Sequence, residues 1–270
     1  MTQRSVFVSG GAGAIGMAIA RQFAARNWQV GLGDLPVADP IGAAAAIGGS
    51  VRGFALDVTS EGDWRQSLAA FTAPNDGRLD LLINNAGILR FGQFVDQSVP
   101  DLMRQVAVNL GGVVLGARIG LHHLRRTRDS FLVNIASAAA WHASPRLAAY
   151  SATKFAVRGL SEALDIELAP LGVRVACISP FLVDTPMMDD VDLAGRRYRD
   201  AAADQPMLTA RAVADAVWVA VHQDRLHHPV GEASHHLVQE AARRLDIFRS
   251  RARPNGDAMI VIKEKQHDDN

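Results

Sequence analysis

The sequence predicts one α/β domain built on a doubly wound parallel sheet with helices on both faces. Short apolar runs of strand length alternate with segments of helical periodicity, an alternation typical of parallel sheets. Polar or glycine residues follow the first four runs, at Gly10, Asp34, Asp57 and Asn84. Because such sheets bind ligands at the carboxyl ends of their strands, these positions predict a ligand site. No internal repeat or linker divides the 270 residues, which favours a single domain over two small ones.

Composition excludes several classes of protein. The 28 Lys and Arg residues balance 28 Asp and Glu residues, so neither a nucleic-acid surface nor a membrane-attracted basic face is expected. No apolar run is long enough to span a bilayer, and the one cysteine, Cys177, excludes an intramolecular disulfide. The N-terminal residues show no signal-peptide pattern. We therefore expect a cytoplasmic enzyme or binding protein without a membrane span.

The first strand, residues 5–9, runs into a glycine-rich turn from Gly10 to Gly16 and then into a helical pattern over 17–26. This succession is the context that a dinucleotide-binding fingerprint requires, as in Rossmann-type folds. Glycines let the backbone approach a pyrophosphate, and the start of the helix presents free N–H groups to it. The alternative is an ordinary turn. The neighbouring strand and helix favour a nucleotide site.

The second strand, residues 29–33, ends at Asp34, eighteen residues after Gly16. A carboxylate at this point can accept hydrogen bonds from both hydroxyls of an adenosine ribose, and it repels a 2′-phosphate. No Arg or Lys lies in the glycine turn or directly after Asp34. The sequence therefore predicts NAD rather than NADP as cofactor, with a plain turn aspartate as the alternative.

Later segments continue the same pattern. Residues 98–120 are predicted to form one long helix with Asn109 in its interior, and Ser137 lies just past the end of the fifth strand. The remaining strands are predicted at 51–56, 79–83, 131–135 and 173–178.

Tyr150 and Lys154 lie four residues apart, on one face of the next predicted helix. An ammonium beside a phenol favours the phenolate and is expected to lower the tyrosine pKa from its usual value of about 10. Proton exchange with an alcohol near neutral pH requires such a group. Most isolated pairs of this kind are solvated helix faces, so the surroundings decide. Small residues recur along this helix and predict close packing by the sheet or by another helix: Ala149, Ala152, Ala156, Gly159 and Ala163.

The C-terminal part is less regular. Residues 188–225 are predicted to form a mobile substrate loop or lid followed by a helix over 210–223, and residues 233–270 a helical extension and tail. Residues 259–262 form an isolated apolar run, and residues 263–270 are expected to be disordered. No clear closing strand is predicted. Four histidines raise the alternative of a zinc site, but they lack carboxylate or cysteine partners, so no metal is expected: His227, His228, His235 and His236.

Taken together, residues 5–190 resemble the classical short-chain dehydrogenase/reductase family. The ordered set, with a serine thirteen residues before the tyrosine, is highly specific. The matching motifs are Ser9-Gly10-x-x-x-Ala14-Ile15-Gly16, Asp57-Val58, Asn84-Asn85-Ala86-Gly87, Asn109, Ser137, Tyr150-x-x-x-Lys154 and Pro180-x-x-Val183-x-Thr185.

The resemblance implies a role for each polar residue. Tyr150 would be the general acid/base, and Ser137 would hydrogen-bond the substrate oxygen. Lys154 would hold the nicotinamide ribose, and Asn109 would support a water that links Lys154 to solvent. An alcohol that loses its proton as a hydride leaves carbon needs such a base, together with a donor for the developing oxyanion.

The resemblance also implies the cofactor contacts, which are Gly10, Ala14, Ile15, Gly16, Asp34, Asp57, Val58, Asn84, Ala86, Gly87, Tyr150, Lys154, Pro180, Val183 and Thr185.

Some positions depart from the family pattern. Ser9 replaces the usual threonine and keeps a hydroxyl, and Ala14 replaces the middle glycine. A second register, G-x-G-x-x-G at Gly11, Gly13 and Gly16, is therefore also open. Ser179 and Phe181 replace the usual asparagine and glycine around Pro180.

We therefore expect an NAD-dependent alcohol dehydrogenase or carbonyl reductase. The alternatives are a catalytically idle NAD-binding regulator and an epimerase or dehydratase that uses the same Tyr/Lys pair. The substrate is expected to be lipophilic, with His142 in its pocket and apolar walls from residues 138–141, Phe91, Phe181, Met187 and Met188. A homodimer through the Asn109 and Tyr150 helices, or a homotetramer, is expected.

Overall fold

A computed structural model describes residues 3–251, with side chains as far as residue 243. This part of the chain contains a seven-stranded parallel sheet of order β3-β2-β1-β4-β5-β6-β7. The predicted fold class, a doubly wound Rossmann-type sheet in a single domain, is confirmed. The strands are β1 (Ser5–Ser9), β2 (Gln29–Asp34), β3 (Val51–Ala55), β4 (Leu81–Asn84), β5 (Ser130–Ile135), β6 (Val173–Pro180) and β7 (His227–Val230).

Helices cover both faces of the sheet. In chain order they are α1 (Ala14–Ala24), α2 (Pro40–Ile47), α3 (Glu61–Thr72), α4 (Val99–Val106), α5 (Gly112–Leu124), α6 (Ala148–Leu168), α7 (Tyr198–Ala201), α8 (Ala210–Ala220) and α9 (Glu232–Arg251).

Alternation along β1 shows how the two cores form. Val6 and Val8 pack on one face with α1 and α8, whereas Phe7 points to the other face, where Trp64 and Phe71 of α3 lie. All of these side chains are almost fully buried. The strand order reverses between β1 and β4, and such a reversal opens a crevice at the carboxyl ends of the strands.

β7 is the strand that the sequence analysis missed. Its residues pair in parallel with β6, from Cys177 opposite His227 to Pro180 opposite Val230. The Cys177 amide donates to Leu226 O (2.7 Å), and the Phe181 amide donates to Val230 O (3.1 Å). A four-residue strand with two histidines and a proline lacks the alternating β-branched pattern by which strands are recognised. The expectation of no closing strand was therefore wrong.

The long helix predicted over 98–120 forms with one irregularity. A π turn, Ala107–Gly111, joins α4 to α5 and contains the fully buried Asn109. A π turn inserts an extra residue into the helix, and such insertions are frequent at functional sites.

The C-terminal part begins with the segment 188–208, which includes α7, and ends with α9, close to the predicted helical extension. The apolar run at 259–262 and the predicted disordered tail at 263–270 lie outside the described residues. No helix within residues 3–251 combines the length and apolarity needed to cross a bilayer.

Candidate active site

The glycine turn between β1 and α1 leaves no room for a Cβ at three of its residues, Gly10, Gly11 and Gly16. Gly10 adopts a φ of +62°, and a Cβ there would lie 2.8 Å from Ala86 Cα. A Cβ on Gly16 would collide with the carbonyl oxygens of Gly10 and Gly11, whereas one on Gly13 would meet only Gly10 O at 3.4 Å. Gly10 and Gly16 fit the register Ser9-Gly10-x-x-x-Ala14-Ile15-Gly16. A Cβ on Gly11 would lie 2.8 Å from Leu32 Cα, so the register at Gly11, Gly13 and Gly16 also stays open. Gly16 serves packing and lines neither cavity described below.

Hydrogen bonds from the strand-end motif of β4 hold this turn in place. The Asn85 side-chain amide donates to the carbonyls of Ser9 (2.9 Å) and Gly10 (3.0 Å). In return the Ser9 hydroxyl accepts from the amides of Asn85 (3.0 Å) and Ala86 (3.2 Å). This role requires only a hydroxyl at position 9, which serine supplies as well as the threonine that is usual in the family.

The structure corrects the assignment of Asn84 as a cofactor contact. Its side chain is buried within the fold, where its amide donates to Asn134 Oδ1 (2.9 Å) and to Val113 O (3.4 Å). Asn84 thus joins β4 to β5 and α5. The next residue, Asn85, lines both cavities instead.

A cavity of about 810 Å³ lies along the carboxyl ends of β1, β2, β3 and β4. It gathers most of the predicted cofactor contacts: Gly10, Ala14, Ile15, Asp34, Asp57, Val58, Ala86, Gly87 and Thr185. Gly13 and Arg104, which the sequence analysis did not assign, also line it. The start of α1 faces this cavity and supplies unpaired backbone N–H groups suited to a pyrophosphate. We call it the nucleotide cavity.

Asp34 is fixed at one wall of the nucleotide cavity. Its Oδ2 accepts from the Ala12 amide (3.0 Å) and its Oδ1 from the Leu35 amide (2.8 Å). Each carboxylate oxygen has a second acceptor site, so the group can still accept from two ribose hydroxyls. The residues present therefore fit a dinucleotide: a glycine cradle, a helix start and a carboxylate at the far end.

A second cavity of about 350 Å³, here called the substrate cavity, adjoins the first. The two cavities share lining residues at their junction, among them Ile15, Asn85, Gly87 and Thr185. The substrate cavity is also lined by Ser137, Tyr150, Lys154, Pro180 and Val183. The residues proposed for chemistry thus meet where the nucleotide cavity ends.

Ser137 and Tyr150 reach this cavity from different elements. Ser137 follows β5, where its hydroxyl accepts from the Ala139 amide (3.1 Å) and begins a short turn. Tyr150 lies in the first turn of α6, and its side chain lines the same cavity as Ser137. Burial raises the pKa of Tyr150, and the Ser137 side chain opposes this increase only partly.

The ammonium of Lys154 lies beside the Tyr150 ring. This ammonium donates to Ile135 O (3.0 Å) and lies 5.6 Å from the centroid of the Tyr150 ring. Burial lowers the pKa of Lys154 to about 8. The expected lowering of the Tyr150 pKa by Lys154 is therefore not seen in this structure, because desolvation dominates both groups.

Asn109 is held by the backbone of Ile88, which follows the Asn84-Asn85-Ala86-Gly87 motif. Its side-chain amide donates to Ile88 O (2.8 Å), and its Oδ1 accepts from the Ile88 amide (2.8 Å). A weaker bond of 3.3 Å reaches the Thr153 hydroxyl on α6. Asn109 therefore connects the π turn, the β4 loop and the helix of Tyr150.

The segment 185–208, here called the lid, contributes Met187, Met188 and Tyr198 to the lining of the substrate cavity. The mobility of residues 188–208 stays a prediction. Ionic contacts attach this segment to the body. Asp190 accepts from the Phe91 amide (2.7 Å) and from Arg90 (3.2 Å).

A second ionic contact joins the nearly buried carboxylate of Asp192 to Arg146 at 3.4 Å. The Arg199 guanidinium of the same segment donates hydrogen bonds to the carboxylates of Asp184 and Asp189 and to the Thr185 carbonyl.

The expected substrate walls are only partly those observed. His142, Phe181 and residues 138–139 line the substrate cavity, and His142 is exposed at its edge. Phe91 instead packs beneath the cavity beside Leu89 and Leu147, and Trp141 turns away to donate to the Ser179 hydroxyl (3.0 Å). Sequence analysis missed Tyr198, because nothing local places a residue of an irregular segment over a distant helix.

The four C-terminal histidines do not gather around a common point. His227 lies 3.2 Å from Glu162, and a ring nitrogen of His228 hydrogen-bonds Arg225 O (2.7 Å). Within the described part of the chain, no three residues of the types His, Cys, Asp and Glu form a group that could hold a metal ion.

The fold and the two joined cavities are those of a dinucleotide-binding α/β protein. Comparison with known proteins gives its family: the short chain dehydrogenase profile matches residues 4–194. The chain belongs to the short-chain dehydrogenase family. It is an oxidoreductase that acts on CH–OH groups with a nicotinamide dinucleotide.

Two curated relatives illustrate the similarity. The 3-alpha-(or 20-beta)-hydroxysteroid dehydrogenase of Mycobacterium bovis is 38% identical over 183 residues, which are 67% of this chain and 70% of the relative. The cyclopentanol dehydrogenase of a Comamonas species is 32% identical over 223 residues, which are 79% of this chain and 89% of the relative.

Solved structures show the same fold. A short-chain dehydrogenase/reductase from Burkholderia phymatum, in complex with NAD, matches with a TM-score of 0.79 at 22% identity and covers 96% of this chain and 98% of its own. A short-chain dehydrogenase from Burkholderia cenocepacia, in complex with NADP, matches with a TM-score of 0.75 at 22% identity and covers 93% and 98%. The fold is thus similar to proteins that bind either nucleotide.

Proposed function

We propose that this enzyme interconverts a lipophilic secondary alcohol and its ketone with NAD, and that Tyr150 is the acid/base. The observation that carries this proposal is the convergence of Ser137 and Tyr150 in the substrate cavity, which adjoins the nucleotide cavity and shares lining residues with it. Two hydroxyls at such a point can bind one substrate oxygen, one as a donor and the other as a proton acceptor.

The mechanism assigns one task to each residue. The nicotinamide ring, when bound, accepts or supplies the hydride. In alcohol oxidation Tyr150 takes the hydroxyl proton, and Ser137 donates to the substrate oxygen as its charge changes. Lys154 would hold the nicotinamide ribose through its ammonium, which lies 5.6 Å from the centroid of the Tyr150 ring. Asn109 keeps the β4 loop and α6 in place through Ile88 and Thr153.

NAD is the proposed nucleotide because of Asp34. Its carboxylate stands in the nucleotide cavity with its orientation fixed by two backbone amides. Hydrogen bonds from ribose hydroxyls to a charged acceptor are stronger than those to neutral groups, whereas a 2′-phosphate would meet like charge.

The lining of the substrate cavity supports a lipophilic substrate. Its walls include Leu89, Leu147, Phe181, Leu182 and Met188, and most of the cavity surface is apolar. Two relatives are named as dehydrogenases of cyclic alcohols, one of cyclopentanol and one of hydroxysteroids. A cyclic secondary alcohol is therefore the substrate class that we propose to test first.

The test is the appearance of NADH with a panel of cyclic secondary alcohols, run in parallel with NAD binding. Net NADH formation is expected, with a matching ketone product. An idle regulator would bind NAD without turnover, and an epimerase or dehydratase would convert substrate without accumulating NADH. Either result would contradict the proposal.

We also propose that the protein is a homodimer through α4, α5 and α6. Exposed apolar side chains lie on these neighbouring helices, among them Met103, Val114 and Phe155. A Cβ on Gly159 would meet no atom of its own chain within 4 Å, so this face is open for close approach by a partner helix.

Gly159→Arg is expected to convert the dimer into a monomer of 28.9 kDa without unfolding it, because the new side chain meets nothing in its own subunit. Light scattering after size-exclusion chromatography measures the mass. Ile41→Arg, an equally charged change at an exposed site on α2, is the control and should leave the mass unchanged. A parent protein that is already monomeric, or an unchanged mass for Gly159→Arg, would contradict the proposed interface.

A further inference from the structure

The lid contributes a tyrosine, Tyr198, to the largely apolar lining of the substrate cavity. Tyr198 begins α7, and its ring packs on Phe91 with centroids 5.2 Å apart. Tyr198 belongs to the same small cluster as Tyr150, together with Leu89 and Leu147. The two tyrosines of the chain thus line a single cavity.

The position of Tyr198 is built into the fold. Its backbone amide donates to Asp190 O (2.9 Å), and the Asp190 carboxylate accepts from the Phe91 amide (2.7 Å). The ring therefore stacks on the residue whose backbone anchors the lid. The Tyr198 side chain is therefore held through its backbone and through the contact of its ring with Phe91. A side chain fixed in this way keeps its orientation when substrate binds, and such side chains discriminate best between ligands.

The Tyr198 hydroxyl is available to a ligand. Among the side chains that the structure describes, up to residue 243, none forms a hydrogen bond with it, although the ring is partly buried. Burial and the nearby Tyr150 raise the pKa of Tyr198 to about 12, so its phenol stays protonated at working pH. It therefore acts as a hydrogen-bond donor or acceptor and does not compete with Tyr150 as a base.

We infer that Tyr198 is a specificity-determining residue whose hydroxyl binds a second oxygen of the substrate. The inference rests on the proposed function, with the reacting oxygen at Ser137 and Tyr150. The preferred substrates are then cyclic secondary alcohols that carry another hydroxyl or carbonyl group, rather than alcohols with one oxygen. An alcohol with a second oxygen gains a hydrogen bond with the Tyr198 hydroxyl, and this bond raises its kcat/KM above that of an alcohol with one oxygen.

The experiment compares cyclohexanol with the 1,2-, 1,3- and 1,4-cyclohexanediols as substrates for the parent and for Tyr198→Phe. One neutral hydrogen bond corresponds to a preference of about three- to tenfold in kcat/KM. The parent should favour at least one diol by this factor. Tyr198→Phe keeps the ring on Phe91, so it should remove the preference while changing cyclohexanol oxidation less than about twofold. An unchanged melting temperature establishes that the variant is folded.

His142→Ala is the matched variant, because His142 is a polar lining residue at the exposed edge of the same cavity. It should retain the diol preference. The inference is overturned if the parent shows no preference, if Tyr198→Phe lowers both substrate types equally, or if only His142→Ala removes the preference. In each of these cases the parent enzyme still oxidises cyclohexanol. Loss of the proposed function itself would show as no NADH from any alcohol, an outcome that also overturns the inference.

Discussion

Tyr150→Phe should reduce kcat for alcohol oxidation by roughly 10²- to 10⁴-fold, the range that a positioned acid/base contributes. The change removes one hydroxyl and keeps the ring, so NADH affinity should stay nearly unchanged. Steady-state NADH production and a fluorescence titration with NADH measure the two quantities. Tyr198→Phe, the same change at the other tyrosine of the chain, is the control and should retain cyclohexanol oxidation. Substantial turnover by Tyr150→Phe would show that another group carries the proton.

The same experiment has a pH dependence with a defined sign. Burial raises the pKa of Tyr150, so at neutral pH the phenol is largely protonated and cannot act as a base. Oxidation of alcohols should therefore accelerate as pH increases above neutral, and ketone reduction, which uses the protonated phenol, should slow. An oxidation rate that falls with pH over this range would be inconsistent with Tyr150 as the base.

The parent enzyme should prefer NAD over NADP by roughly thirtyfold or more in kcat/KM. A 2′-phosphate placed about 4 Å from Asp34 costs about 4 kcal/mol per charge pair at an effective dielectric of about 20. Relaxation that halves this cost leaves about 2 kcal/mol, which corresponds to the stated factor. Asp34→Ala combined with Leu35→Arg should weaken NAD and admit NADP, because it removes the repulsion and supplies a cation. The measurement is kcat/KM with each nucleotide.

Two single variants separate the contributions. Leu35→Arg alone keeps the carboxylate and should admit NADP far less well than the double variant. Arg104→Gln removes a cation that lines the nucleotide cavity from α4 and is the alternative partner for a phosphate. If the parent uses both nucleotides equally and Arg104→Gln abolishes activity with NADP, then Arg104, and not Asp34, determines which nucleotide is used.

Local pattern was sufficient for the sheet and for most of the nucleotide cavity. The turn at Gly10 needs a positive φ, and Asp34 ends a buried strand, so both residues are positioned by their immediate neighbours. Asn84 and Asn85 show the limit of this reasoning. Adjacent strand residues point to opposite sides, and the side that faces the ligand depends on pairing with β5 and the turn after β1.

Non-local contacts account for what the sequence could not predict. β7 forms because β6 offers an open edge, not because His227-His228-Pro229-Val230 favours a strand. Tyr198 reaches the substrate cavity only because Asp190 and Asp192 attach the lid to residues about a hundred and about fifty positions earlier in the chain. The pKa of Tyr150 depends on how fully the surrounding elements exclude water, which no motif encodes.

The π turn at Ala107–Gly111 has a consequence for stabilising this enzyme by design. Its extra residue rotates everything beyond it by about 100° relative to a regular α-helix. Deleting one residue there would restore regular periodicity and strengthen the helix. The part of the helix on one side of the deletion would then rotate, so either the Asn109 side chain would turn away from Ile88 or Gly116 would turn away from Asn84 of β4. Helix regularity and catalytic geometry are therefore in conflict at this point. Designs chosen for helix propensity at 107–111 would raise the melting temperature and lose turnover.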